Sequence, residues 1–132
     1  MSHKTQFISV EVAIKTNHAY GAFVELFTAQ GEPVSVVPGD THRSYIYFAP
    51  LPDSTPDATI RRLCQQIAAL TGPPRCQWDA AGFREFFIGY ELGDEPFCHD
   101  EHLSHETLSA VTAIGAGIGY ALYADRESKT VS

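Results

Sequence analysis

Alternation between apolar and polar positions predicts the strands of this chain. Residues 6–15, 83–92 and 116–123 each place apolar side chains at every second position. Because successive side chains of a strand point to opposite faces of a sheet, the three segments are predicted to be strands with one face in the core. Residues 44–49 are rich in aromatic side chains and predict a fourth strand. The strand aromatics predicted to lie in the core are Tyr45, Tyr47, Phe86, Phe87 and Tyr90.

Two other segments carry apolar side chains at helical spacing. Thr55 is the predicted N-cap of the first helix and Pro56 occupies its first position. Gly72 and Pro73 are predicted to end this helix, and the stretch that follows them is interpreted as turns. Ser104 caps a second helix that runs to about residue 114. The apolar stripe of the first helix consists of Ile60, Leu63, Cys64, Ile67 and Leu70.

Residues 17–38 support two interpretations. Asn17 could cap a helix over residues 19–27, or residues 23–29 and 34–37 could be strands joined by a turn. Periodicity alone does not separate a short helix from a short strand. The valines between residues 33 and 37 favour a strand at that end of the segment.

The order of these elements predicts an α+β two-layer sandwich. Its sheet is mixed, with four or five strands, and two helices, or three, pack on one face. Residues 1–125 form a single domain in this interpretation, and residues 126–132 form a polar C-terminal tail. The last strand has a face of small residues, which would let a helix or a second subunit approach the sheet closely. This small face consists of Gly117, Gly119 and Ala121.

The composition is that of an ordinary globular domain of 132 residues, with 44% hydrophobic and 19% charged residues. No apolar run approaches the roughly 20 residues of a membrane-spanning helix, and the N-terminal residues lack the apolar stretch of a signal peptide. We therefore expect no membrane association and a cytoplasmic location. The three cysteines include no Cys-x-x-Cys pair, which fits a reducing compartment.

One block, residues 85–125, carries a formal charge of −8, and residues 126–132 add +1, which gives the net charge of −7. Residues 1–84 hold seven basic and seven acidic side chains, whereas the block contains no Lys or Arg. The negative electrostatic potential of this block attracts a cationic partner, and an acidic surface argues against nucleic-acid binding. The eight acids of the block are Glu85, Glu91, Asp94, Glu95, Asp100, Glu101, Glu106 and Asp125.

Metal ligands and acids are densest between residues 98 and 106. Cys98, His102 and His105 offer the ligand types that zinc takes. His102 and His105 are three positions apart across the predicted helix start, so they could meet only if that turn is already helical. The other interpretation is a solvated acidic loop followed by a capped helix. No nucleophile with a base and an oxyanion donor is identified, so no catalytic residue is assigned.

Two motifs mark the C-terminal third of the chain. They are Leu103-Ser104-x-Glu106-x-Leu108 and Gly115-Ala116-x-Ile118-x-Tyr120-x-Leu122-Tyr123. These motifs resemble the ending of a small bacterial family of domains of unknown function. That family often carries a Trp on the strand after its Gly-Asp turn, where this chain has Tyr45 and Tyr47. The resemblance implies a bacterial, cytoplasmic α/β domain and carries over no catalytic residue.

In size and charge the chain also resembles an immunity protein, a small acidic protein that neutralises a cognate toxin. We therefore predict a non-catalytic binding protein, monomeric or homodimeric, that offers an acidic face to a basic toxin or another cationic partner. The alternative prediction is a zinc-binding protein, or a small metal-dependent enzyme, that uses the ligands between residues 98 and 105. The predicted partner-binding residues are Asp94, Glu95, Phe97, Asp100, Glu101 and Glu106.

Overall fold

Five strands and four helices follow one another in the computed structural model, which describes residues 4–39, 43–95 and 98–124. The strands are β1 (Gln6–Thr16), β2 (Ser35–Val37), β3 (Ser44–Phe48), β4 (Phe83–Glu91) and β5 (Gly117–Tyr123). The helices are α1 (Gly21–Ala29), α2 (Pro56–Ala68), α3 (Gly72–Ala80) and α4 (His105–Ala113). The four predicted strands are confirmed as β1, β3, β4 and β5, and the two predicted helices are confirmed as α2 and α4.

The strands form one sheet in the order β2-β3-β1-β4-β5. Neighbouring strands are antiparallel except for β4 and β5, which are parallel. From β1 to β4 the chain follows the split β-α-β-β-α-β arrangement, with α2 and α3 together in the place of the second helix. Helix α4 then leads to β5 on the outside of β4. The predicted α+β fold with a mixed sheet is confirmed, and the sheet has five strands.

The register of the sheet gathers the apolar side chains on one face. Val12 of β1 pairs with Phe48 of β3 on one side and with Phe86 of β4 on the other, and all three are buried. Every helix contributes to the same buried cluster. These helix residues are Phe23 and Phe27 of α1, Ile60, Leu63, Cys64 and Ile67 of α2, Trp78 of α3, and Val111 of α4. The helices therefore form one layer of the sandwich and the sheet forms the other.

The opposite face of the sheet is half-buried and holds a second aromatic group. Tyr45 and Tyr47 stack with their ring centroids 4.8 Å apart, and the rings of Phe83 and Phe87 lie 6.3 Å apart. The ammonium of Lys15 lies 4.7 Å from the centroid of the Phe83 ring. The prediction of core aromatics is thus confirmed for two of the five, Phe86 and Tyr90. It is wrong for Tyr45, Tyr47 and Phe87, because alternation along β3 and β4 turns them away from the helices.

The small-residue face of β5 is filled from within the sheet. A Cβ atom at Gly119 would lie 2.6 Å from Cε1 of Phe87, and one at Gly117 would lie 3.5 Å from Cγ of Glu85. The glycines therefore accommodate the side chains of the neighbouring strand, since Gly119 pairs with Phe87 and Gly117 with Glu85. The predicted close approach is made by β4 and not by a helix.

The ambiguous segment between residues 17 and 38 contains one helix and one strand. Helix α1 begins at Gly21, after Tyr20 and not after Asn17. The backbone N–H of Phe23 in its first turn donates to Oε1 of Gln77, at 2.8 Å. A glutamine of α3 thus satisfies an N–H that a local cap would otherwise satisfy. Local sequence patterns do not predict this bond, because the two residues are 54 positions apart in the sequence.

Helix α3 was not predicted. The predicted end of the first helix at Gly72 and Pro73 is wrong by a few residues, because α2 ends at Ala68 with Ala69 as its C-cap and Gly72, with φ +64°, is already the first residue of α3. The two prolines that follow occupy the first turn of α3, where a helix needs no N–H donors. Residues that the sequence analysis interprets as a helix end therefore begin a helix. The Nε1–H of Trp78 in α3 donates to the carbonyl oxygen of Ile114, at 2.9 Å, so that α3 is joined to the end of α4.

Replacing Trp78 with Phe is expected to lower the free energy of unfolding by about 1–3 kcal/mol, because the buried carbonyl of Ile114 loses its donor. Urea unfolding followed by circular dichroism measures this loss. Tyr45→Phe is the control, since the half-buried Tyr45 hydroxyl makes only a 3.5 Å contact with Glu11. Equal destabilisation by the two substitutions would contradict the role given to the Trp78 hydrogen bond.

Candidate functional site

A cleft of about 630 Å³ opens where the loop after β4 passes the outer strand β5. The loop contributes the carboxylates of Asp100 and Glu101 and the ring of His99. The sheet contributes Tyr90 of β4 together with Tyr120 and Leu122 of β5. Tyr120 and Leu122 are 58% and 61% exposed, so the cleft has one apolar wall that faces solvent.

The loop is held at its beginning by the residues that precede β1. The hydroxyl of Thr5 donates to the carbonyl of Gly93 at 3.2 Å and accepts from the Gly93 N–H at 3.0 Å. The Thr5 N–H donates to the carbonyl of Glu95 at 2.8 Å, and Lys4 and Glu95 form an isolated β-bridge. Residues 93–95 are thereby tied to the segment that precedes the central strand β1, beside the cleft.

The loop is held at its end by α2. Ser104, the N-cap of α4, accepts from the Thr107 N–H at 3.1 Å, as the sequence predicts. Its own N–H donates to Oδ1 of Asp57 at 2.7 Å, and its hydroxyl oxygen lies 2.6 Å from Nη2 of Arg61. Arg61 also reaches Asp57, at 3.3 Å. This network fixes the point where the acidic loop enters α4.

The pKa of Asp57 reflects the same network. Partial burial works against the charged carboxylate, but the hydrogen bonds from Ser104 and Thr107 and the charge of Arg61 outweigh it and lower the pKa below 3.8. Asp57 is therefore charged at neutral pH and accepts from Ser104 as an anion, which is the stronger form of this hydrogen bond.

Inside the cleft, Glu101 lies between Tyr90 and His99. The Tyr90 hydroxyl donates to Oε1 of Glu101 at 3.0 Å, and Nε2 of His99 lies 3.7 Å from the same oxygen. The rings of Tyr90 and His99 meet edge to face at 5.2 Å. Burial raises the pKa of Tyr90, and the hydrogen bond to Glu101 and the charge of Glu101 raise it further. Tyr90 is thus a fixed donor that orients Glu101, and its phenol does not act as a base near neutral pH.

The chemistry of the cleft suits a side chain with a cationic head and an aliphatic stem. None of the described residues that line it is Lys or Arg, while two carboxylates and two tyrosine rings do line it. An ammonium or guanidinium group binds carboxylates through charge-assisted hydrogen bonds and aromatic faces through cation–π attraction. Its methylene stem can cover apolar surface such as Leu122.

Some of the predicted partner-binding residues line the cleft and others lie away from it. Asp100 and Glu101 line the cleft, whereas Asp94, Glu95 and Glu106 do not. Glu106 lies in the first turn of α4, where a carboxylate favours the positive end of the helix dipole. Phe97, the predicted apolar anchor, lies outside the described residues.

The three predicted zinc ligands do not come together. Helix α4 begins at His105, so His102 lies in the loop and the two histidines do not share a helical face. Cys98 is exposed, and its Sγ lies 3.8 Å from Oδ1 of Asp100. Among residues 4–39, 43–95 and 98–124, no three His, Cys, Asp or Glu side chains form a group that could hold a metal ion. The zinc alternative therefore has no ligand set in this part of the chain.

Sequence reasoning missed the apolar and aromatic part of the site. Tyr90 was assigned to the core, and it is indeed buried, with 4% exposure. A buried tyrosine needs a partner for its hydroxyl, and this requirement was the available signal that a polar group lies beside the end of β4. Tyr120 and Leu122 alternate like core residues, and only the position of β5 at the edge of the sheet exposes them.

Comparison with known proteins adds no assignment. No protein-family model matches this chain, and neither the curated proteins nor the solved structures contain a significant match. Across the described residues, no helix has the length and apolar character needed to cross a membrane.

Replacing Asp57 with Asn is expected to lower the free energy of unfolding at neutral pH by about 1–2 kcal/mol, because the anionic acceptor of Ser104 and Arg61 is lost. Asp53→Asn is the control, since Asp53 pairs with Arg62 at the surface and such pairs contribute about 1 kcal/mol or less. Urea unfolding of both variants measures the difference.

The pH dependence of stability, compared between the wild type and Asp57→Asn, tests whether the charge of Asp57 causes this loss. Because folding lowers the pKa of Asp57 below 3.8, its stabilisation is complete above that value and is lost as the pH falls through the folded pKa. The stability gap between the wild type and Asp57→Asn is therefore expected to be constant from neutral pH downward and to narrow below pH 3.8. A gap that persists in strong acid would assign the loss to shape and not to charge.

Proposed function

We propose that this protein is a non-catalytic, immunity-type binding protein of bacterial origin, whose cleft receives a Lys or Arg side chain from a basic partner such as a toxin. The observation that carries the proposal is the arrangement of Asp100 and Glu101 beside Tyr90, Tyr120 and Leu122 in one open cleft. This cleft offers anionic acceptors, aromatic rings and apolar surface together, which is what a long cationic side chain requires.

The charge distribution of the chain supports the same proposal. Apart from Thr5, the described residues that line the cleft belong to the block of residues 85–125, which carries a formal charge of −8. A concentrated field of one sign raises the rate at which an oppositely charged partner arrives and disfavours partners of the same sign. The cleft then supplies the short-range contacts that the long-range field cannot supply. Recognition in this proposal therefore has an electrostatic encounter step and a local docking step.

The state of the side chains in the cleft favours binding over catalysis. The Tyr90 hydroxyl is engaged by Glu101 and its pKa is raised, so it does not supply a nucleophilic phenolate. Thr5, the one hydroxyl-bearing aliphatic side chain among the described lining residues, is engaged by Gly93. Nucleophilic catalysis needs such a group to lie free beside a base. The Tyr90 and Thr5 hydroxyls are therefore engaged in holding the loop, while the carboxylates of Asp100 and Glu101 are suited to hold a cation.

The first test uses a defined small probe. Titration of the 15N-labelled protein with Nα-acetyl-arginine methylamide is expected to shift the backbone amide signals of Tyr90, Glu101 and Tyr120. The neutral citrulline derivative has nearly the same shape and is the matched control, since it lacks only the charge. Equal shifts with the two compounds would contradict a cation site in this cleft.

Neutralising the cleft carboxylates is expected to weaken binding of the cognate partner about tenfold or more, because the cation would remain desolvated without its counter-charges. The variant is Asp100→Asn with Glu101→Gln, and affinity is measured by titration calorimetry with the basic partner captured from the source cell. Glu25→Gln with Glu32→Gln removes the same number of carboxylates outside the acidic block and is expected to leave affinity within about twofold. If both double variants lose affinity equally, the effect belongs to net charge and the cleft is not the binding site.

A further inference from the structure

Strand β5 has only one paired side among the described residues. It lies at the end of the sheet order, beside β4, and no other described strand pairs with it. Exposed sheet edges present unpaired N–H and C=O groups that can bind another extended chain. The residues of β5 therefore include backbone groups that are available to a partner.

The register identifies which residues present those groups. The carbonyl of Tyr123 accepts from the Leu92 N–H at 2.8 Å, so Tyr123 directs its backbone groups toward the β4 side. In a parallel pair, the N–H and C=O of one residue point to the same side, and successive residues alternate. Ile118, Tyr120 and Leu122 consequently direct their N–H and C=O groups outward. Tyr120 and Leu122 are also residues that line the acidic cleft.

The edge lacks the usual devices that prevent strand addition. Gly117–Tyr123 contains no Lys, no Pro and no charged residue, and its pairing with β4 is regular without a bulge. Natural sheets commonly protect an edge with such features. Tyr123 is 53% exposed in addition to Tyr120 and Leu122, so β5 also presents large side chains to a neighbouring chain.

We propose that an extended basic segment of the partner adds to β5 as a sixth strand and places alternate Lys or Arg side chains in the acidic cleft. This inference rests on the proposed function and specifies how the partner is recognised. An added strand would pair with the outward groups of Ile118, Tyr120 and Leu122. Because strand side chains alternate, every second residue of the segment would face Asp100 and Glu101.

Charge complementarity selects a basic segment over a second copy of this chain. Two copies joined edge to edge through β5 would bring two sets of Asp100 and Glu101 close to the same junction, and each copy carries a net charge of −7. Like charges placed together at an interface disfavour association. The carboxylates of Asp100 and Glu101 attract a cationic strand, whereas they repel the carboxylates of a second copy.

The direct test compares two capped peptides of equal composition and charge. In Thr-Lys-Val-Lys-Val-Lys-Thr the cations alternate, and in Thr-Val-Val-Lys-Lys-Lys-Thr they are consecutive. The alternating peptide is expected to bind about tenfold more tightly and to protect the amide hydrogens of Ile118, Tyr120 and Leu122 from exchange. The amide hydrogens of Gly119 and Ala121 already face β4 and should change little.

A pair of substitutions isolates the backbone contribution. Leu122→Pro and Leu122→Ala both remove the leucine side chain, but only proline removes the outward N–H. Leu122→Pro is expected to bind the alternating peptide about fivefold more weakly than Leu122→Ala does, whereas the two variants are expected to bind the consecutive peptide equally. Fluorescence of the buried Trp78 checks that both variants are folded, and if Leu122→Pro unfolds, amide exchange in the wild-type protein decides alone.

Three outcomes would overturn strand addition. Equal binding of both peptides without amide protection would leave the cationic cleft of the proposed function intact but exclude pairing with β5. If neither peptide binds but the arginine derivative shifts the amide signals of the cleft, strand addition to β5 is likewise excluded and the cationic cleft is retained. Protection of the β5 amides that rises with protein concentration in the absence of peptide would assign the edge to a second copy. Failure of the arginine derivative itself would instead count against the proposed function.

Discussion

The parallel pairing of β4 and β5 is the constraint on which the candidate site depends. Parallel neighbours cannot be joined by a tight hairpin, so the chain must leave the end of β4 and return to the opposite end of the sheet before β5 begins. The connection consists of the acidic loop followed by α4. It therefore has to start at the end of β4, where Tyr90 lies, and β5 runs back to the same end with Tyr120 and Leu122. The cleft is the space that this crossover encloses.

Local hydrogen bonds then give the crossover its shape. Thr5 holds its beginning at Gly93, and Asp57 and Arg61 hold its end at Ser104. Between these anchors, Glu101 accepts from Tyr90 and turns a carboxylate toward the sheet. The side chains that hold the loop come from residues far away in the sequence, on the segment before β1 and on α2. The acidic cleft is thus a product of tertiary structure, although its charge comes from one continuous block.

This distinction explains how far the sequence could predict the protein. Strands such as β1 and β4 follow from alternation, and α2 and α4 follow from Thr55 and Ser104 at their N-caps, because these signals are local. Helix α3 was missed because Gly72 and the following prolines are signals for a helix end as well as for a first turn, and here they form the first turn of α3. Asp100 and Glu101 were selected from charge, but their neighbours Tyr90, Tyr120 and Leu122 come together only through the register of β4 and β5. Tyr45 and Tyr47 were predicted to lie in the core and face away from the helices, since alternation does not say which face of a strand the helices cover.

The unprotected edge and the acidic loop are physically coupled. An exposed apolar strand without charges or proline favours association with other chains, including copies of itself. The carboxylates of Asp100 and Glu101 lie beside that edge, where they oppose pairing between identical chains and favour pairing with a basic one. One set of charges can therefore both limit self-association and select a partner. In this proposal, the position of the charge relative to β5 determines specificity, and the total charge of the protein determines only how fast the partner arrives.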